Sequence, residues 1–328
     1  MRGSAVCAVA FVLACSTSAA PEAVDPVRAS CAAFALSWCE SKRSCLSAEF
    51  ASEYQAVDTC VERQTLQCES SRFGPGSTLT PDDVRACGQV LSEGDLDARC
   101  TRWLRWERMR DAPAACTKKG HLQQGSLCLL GSQCETGHCS PHVRPCGACR
   151  TPAELGDLCF EDGDCASGRA CSAGGKCVAY ISTGACDADK PCLPWLACVA
   201  HECVPRAKEG GPCDQADGCE LWPEQLVCNP GTGRCERYAS AGAGEACGEV
   251  DQGPVTLCAP GLVCEVVDTP RRGVCVAAKP DRYGCVQEPQ ALPKRFPFGG
   301  PCLAPALCAT TGRCGVLDVA MCEVAPFQ

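Results

Sequence analysis

The sequence is short of what an ordinary globular core is built from: 328 residues hold 5 Trp, 4 Tyr and 8 Phe, and 32 Gly and 24 Pro interrupt the rest. Long apolar runs are missing too. The stretch Ala5 to Ala14 is well below the ~20 residues that carry a helix across a bilayer, so no transmembrane span is expected. Only four histidines occur, His121, His138, His142 and His201, which leaves little to share a zinc ion with cysteine or to serve as a catalytic base. There is no Gly-x-Ser-x-Gly elbow, no His-Glu-x-x-His and no phosphate-binding glycine loop. The chain is therefore expected to be no enzyme and to hold no metal or cofactor. Positive charge is also in deficit, with a net charge of -9, which argues against a nucleic-acid partner.

What the chain has in excess is cysteine, 36 in all. Arg2, the apolar stretch Ala5–Ala14 and a small-residue run from Ser16 have the layout of a secretory signal, so residues 1–14 are expected to leave with Cys7. Val12-Leu13-Ala14-Cys15 resembles the lipobox of bacterial lipoproteins, in which the cysteine carries a lipid anchor; Ser18-Ala19-Ala20 offers an ordinary cleavage site that would release the chain instead. The expected location is the bacterial outer membrane or cell surface through a lipid on Cys15, or else secretion. Setting Cys7 and Cys15 aside leaves 34 cysteines, an even number. In an exported chain that density marks a disulfide scaffold. A bridge closing a loop of ~15 residues contributes about 3 kcal/mol in the chain-entropy view, and several offset a thin core.

Two regions follow a short Pro- and Ala-rich tether, residues 15–26. Residues 27–118 read as helical. Asp25-Pro26 is a cap and first-turn proline, and Phe50, Tyr54, Val57 and Val61 form one stripe of a second helix. Thr80-Pro81-Asp82-Asp83 starts a third, and Leu96, Cys100, Trp103 and Leu104 mark a fourth. Cys31, Cys39, Cys45, Cys60, Cys68, Cys87, Cys100 and Cys116 suffice for four bridges in a small helical bundle. Residues 119–322 instead repeat a unit of roughly 25 to 30 residues in which Gly precedes the first of four cysteines. The units read as Cys128, Cys134, Cys139 and then Cys146 or Cys149; Cys159, Cys165, Cys171, Cys177; Cys186, Cys192, Cys198, Cys203; Cys213, Cys219, Cys228, Cys235; Cys247, Cys258, Cys264, Cys275; and Cys302, Cys308, Cys314, Cys322. Cys146, Cys285 and Cys322 fit poorly. Short hairpins stapled at both ends are expected, strung as beads in an elongated array whose members touch mainly their neighbours. The fold class is thus tandem disulfide-rich modules of short β-hairpins and loops, preceded by a small disulfide-bonded α-helical domain.

The Gly-x-x-Cys, x5, Cys, x5, Cys and closing Gly-x-Cys spacing, best kept at residues 156–177 and 184–203, resembles the cysteine-rich repeats of the Dickkopf N-terminal type, also found in strings in bacterial surface lipoproteins. The resemblance implies small binding modules without catalytic residues. It does not name a partner, because the cysteines fix the staple while variable loops recognise.

Three constellations call for weighing. Cys146-Gly-Ala-Cys149 has redox-dithiol spacing, but neither a helix N-terminus nor a thioredoxin-type setting surrounds it. The acids of Glu161-Asp162-Gly163-Asp164 and of Asp187-Ala188-Asp189 resemble calcium chemistry without an EF-hand loop, and read better as turn acids. Arg102, Trp103, Arg105 and Trp106, within a run from Arg99 to Arg110, are the candidate interaction residues, although Trp103 continues an apolar stripe. The expected function is a non-enzymatic exported binding or scaffolding lipoprotein that meets a protein or cell-surface ligand. The alternatives are a thiol redox or metal-handling envelope protein, and a cysteine-rich inhibitor or companion of a secreted hydrolase.

Overall fold

Asp25 begins the first helix by accepting a hydrogen bond from the Val27 amide at 2.9 Å, with Pro26 in the first turn where no amide is needed. The structure, a computed structural model, describes residues 25–109, 111–143, 146–213, 218–220, 222, 225–248, 255–268, 272–283, 302–308 and 313–316. The signal segment, Cys15 and the tether up to residue 24, Arg110, Cys285 and Cys322 lie outside the described residues.

Five helices make the head: α1 (Pro26–Cys45), α2 (Ser47–Tyr54), α3 (Val57–Arg72), α4 (Pro81–Ser92) and α5 (Leu96–Met109). Central α1 packs against α3, α4 and α5. Its Phe34 joins Leu79, Val84 and Leu91 in one apolar cluster. Trp38 stands between Tyr54 and Trp103, with ring centroids 6.2 Å away on each side. The eight head cysteines close four bridges among themselves: Cys31–Cys68, Cys39–Cys60, Cys45–Cys100 and Cys87–Cys116. The expected start of α4 holds, since Thr80 and Asp83 form a reciprocal capping box. The expected second helix does not stay whole. It breaks at Gln55, whose φ is 62°, so that α2 ends at Tyr54 and α3 begins at Val57, while Phe50, Tyr54, Val57 and Val61 still share one cluster.

After the head, each of five successive units has the same interlaced frame, with first cysteine bonded to third and second to fourth. The pairs are Cys128–Cys139 with Cys134–Cys149, Cys159–Cys171 with Cys165–Cys177, Cys186–Cys198 with Cys192–Cys203, Cys213–Cys228 with Cys219–Cys235, and Cys247–Cys264 with Cys258–Cys275. The third and fourth cysteines face each other across a short antiparallel hairpin, as in Arg169–Cys171 against Cys177–Ala179 and Leu196–Val199 against Glu202–Pro205. The recurrent glycine has a conformational cause. Gly125, Gly156, Gly210 and Gly244 all have φ between 75° and 88°, and each donates its N–H to the carbonyl of the unit's fourth cysteine. A Cβ would meet nothing within 4 Å at these positions, so the backbone angle and not crowding demands glycine.

Two expectations need correction. First, the last unit is out of register. In the first four units a residue ahead of the frame pairs in parallel with the second cysteine, as Leu122 with Cys134, Ala153 with Cys165, Ile181 with Cys192 and Ala207 with Cys219; in the last unit Lys279 pairs this way with Cys302. Cys308 and Cys314 face each other in the closing hairpin. Cys302, Cys308 and Cys314 are thus second, third and fourth, and Cys302 bonds Cys314.

Second, the units do not form an extended rod but return to the head. The first unit's His121 amide donates to the Gly76 carbonyl, and the second unit's Gly168 amide to that of Met109. Gln225 of the fourth unit offers its side-chain oxygen to the amides of Ala48 and Glu49. In the fifth unit Gly261 lies so close to Gln55 that a Cβ would fall 2.1 Å from the Gln55 amide nitrogen. The Arg63 guanidinium grips Asp281 with two bonds of 2.5 and 2.9 Å, and also donates to the carbonyls of Leu303 and Ala304. Repeat units in a solenoid contact only their neighbours; here groups of the head also contact them.

Candidate interaction surface

Among the described residues, the second unit carries a feature the others lack. Seven large apolar side chains of the described residues are exposed, and three fall within six positions: Leu155 at 57%, Leu158 at 78% and Phe160 at 88% of their free surface. The corresponding places flanking the first cysteine hold partly buried Leu127 and Leu129 in the first unit, Ala185 and Asp187 in the third, and Ala246 and Gly248 in the fifth.

The loop is fixed from below. Cys159 is bonded to Cys171, Leu158 pairs across to Lys176, and the Cys159 amide donates to the Gly175 carbonyl at 2.9 Å. Cys177 returns a bond to the Asp157 carbonyl at 2.9 Å. On the far side, buried Asp164 accepts from the amides of Phe160 and Glu161 through one oxygen and from the Ser140 hydroxyl of the first unit, 2.6 Å away, through the other. Side chains at 155, 158 and 160 therefore stand out from a backbone with little freedom left to lose. Ordering cost on binding is correspondingly low. Exposed Glu154, Asp157 and Asp162 surround them, and Glu154 pairs with Arg169. The acidic character reaches Tyr180, whose phenol is pushed up to about 12 by burial and then by the charge of Asp162.

The carboxylates read from the sequence as turn acids behave as such. Asp162 accepts the Cys171 amide at 2.7 Å, Asp187 the Asp189 amide at 2.8 Å, and Asp189 the Gly174 amide at 2.9 Å. The candidate interaction residues of α5 make contacts within the protein. Trp103 is only 3% exposed and packs with Leu46 and Leu104. Trp106 packs against Phe34, and the buried Arg72 guanidinium lies over both rings at 4.1 Å from Phe34 and 5.7 Å from Trp106. Arg102 caps the end of α4 through the carbonyls of Val90 and Glu93, and Arg105 pairs with Asp111. These four side chains are thus engaged with the rest of the head.

Cys146 and Cys149 do not form a dithiol. Cys149 is bonded to Cys134 and Cys146 lies in a separate disulfide. Groups of three sulfurs within 4.8 Å recur through the units, such as Cys159, Cys165 and Cys177, but they are atoms of the interlaced bridges and not the thiolates that metal ligation requires. Among the described residues no helix is long and apolar enough to cross a membrane.

No known protein family's sequence profile matches the chain, and no solved structure matches it. Among curated proteins, the Turripeptide OL55-like protein of Lophiotoma acuta is 32% identical over 121 residues, which span 37% of this chain and 99% of that protein. That likeness and the extent of the disulfide network mark the chain as an exported, disulfide-stapled protein.

Proposed function

Because the chain belongs to the family of the Turripeptide OL55-like protein, we propose that it is a non-enzymatic exported binding protein, in which the disulfide frame presents the Leu155–Phe160 loop to a protein partner. The observation that carries this reading is three exposed apolar side chains on a rigid loop. Contiguous exposed apolar surface with a polar rim is characteristic of interaction sites, and a few apolar anchors supply most of the energy of an interface. The acidic rim favours a partner whose apolar pocket is edged with basic residues. The likeness of the units to Dickkopf N-terminal-type repeats, small binding modules of secreted proteins and surface lipoproteins, supports binding over catalysis.

We place the protein at the cell surface, anchored by a lipid on Cys15 after removal of residues 1–14. The intact mass of protein from its native envelope tests the anchor: a lipid adduct at an N-terminal Cys15 is expected, and a chain beginning beyond Ala20 overturns it. The binding reading is tested by comparing captures from the envelope with wild type and with the Leu158→Ser, Phe160→Ser double variant. A partner held by the wild type and lost from a variant of unchanged circular dichroism and disulfide count is the expected outcome. Equal recovery by both removes the loop from the contact, and a captured secreted hydrolase that loses activity turns the reading to an inhibitor.

A further inference from the structure

A second site lies away from that loop, where α5 meets the third and fourth units. A cleft of about 420 Å³ opens there, a size typical of small-molecule sites. Leu104 of α5, Trp195 and Trp222 are among its lining residues. Arg206 is a strut between units, with its guanidinium on the carbonyls of Pro194 at 2.9 Å and Cys219 at 3.3 Å. Asp97, Glu220 and Lys208 complete the polar lining, and none of the three side chains has a hydrogen-bond or ion-pair partner among the described residues.

This combination is selective. Indole faces attract organic cations through their quadrupole, more strongly where water is partly displaced. Two carboxylates, Asp97 and Glu220, share the lining and attract the same sign of charge. Lys208, with no acid partner among the described residues, offers an anion a counter-charge. A simple cation would leave Lys208 unanswered, and a simple anion would meet two carboxylates. We propose that the cleft binds an organic zwitterion, with its ammonium end beside Trp195, Trp222, Asp97 and Glu220 and its anionic end against Lys208. Such a ligand is a free solute or the headgroup of a zwitterionic lipid.

The test uses the full disulfide-bonded protein, read by tryptophan fluorescence during titration with phosphocholine, with choline and glycerol phosphate as single-charge comparisons. A saturable change with a dissociation constant on the order of 1 mM or tighter is expected. Glu220→Gln and Trp222→Phe should each weaken it by about fivefold, and Lys208→Ala should abolish the preference for phosphocholine over choline. Phosphatidylcholine vesicles that sediment the protein, and release it to free phosphocholine, assign the source to lipid; binding of the solute alone assigns it to a free zwitterion. The proposal is overturned if no saturable change occurs, if choline binds the wild type as well as phosphocholine, or if the signal is the same in the Glu220 and Trp222 variants at unchanged disulfide count.

Discussion

Gln225 belongs to the fourth unit yet finishes a helix in the head. α2 has no capping side chain of its own at Leu46, and the Gln225 oxygen takes the first free amides, Ala48 and Glu49. Unsatisfied N-terminal amides are worth about 1 kcal/mol to a helix, so Gln225→Ala should speed hydrogen exchange at Ala48 and Glu49 by about fivefold. Little exchange difference at those amides would show that water replaces the side chain at no cost. A pH effect belongs to Asp83. Lys118, then the Thr80 hydroxyl and amide, hold its carboxyl at about 2 instead of 3.8. A lowered carboxyl stabilises the fold above its unfolded value and loses that contribution as pH falls toward 2. The melting difference between wild type and Asp83→Asn should therefore be steady at pH 6 and close between roughly pH 4 and 2. Of these two residues Asp83 was the one legible in the sequence, because Thr80 lies three residues away in a box with a known pattern, whereas Lys118 is 35 residues on. Gln225 sits 177 residues from Ala48, and no local signal announces it. Nor does Leu-Gly-Asp-Leu-Cys-Phe reveal that its apolar members face outward.

At the scale of elements, caps and cysteine spacing carried the reading well. Asp25-Pro26, Thr80-Pro81 and the left-handed glycines each act within a few residues, where sequence and conformation are closely tied. The break at Gln55 was hidden because the apolar stripe runs through it unchanged, and what marks the site is Gly261 from the fifth unit. The register of the last unit was misread for a related reason: cysteine spacing alone does not say which place a cysteine occupies, whereas the pairing of Lys279 with Cys302 does. Third cysteines bond first cysteines in the five complete units, and Cys285 is the sequence's cysteine between Cys275 and Cys302. Peptide mapping of unreduced protein is accordingly expected to join Cys285 to Cys308. A Cys308 found with any other partner would end the six-unit reading.

For the whole molecule, the head and the units were both foreseen but their mutual arrangement was not, since it depends on pairs such as Arg63 and Asp281 that lie 218 residues apart. Arg63→Glu would put a like charge against Asp281 and strip donors from the carbonyls of Leu303 and Ala304, so small-angle scattering should show a larger radius of gyration at unchanged mass. An unaltered radius would mean that the remaining contacts suffice to keep the last unit docked. The interlaced frame has one more effect. From Cys31 to Cys116 and from the first to the fourth cysteine of each of the five complete units, every peptide bond is bypassed by at least one disulfide. A protease that cuts once inside these stretches releases nothing and leaves a nicked chain with the mass of one added water. A protein cut within its beads should therefore stay in one piece outside the cell until its disulfides are reduced.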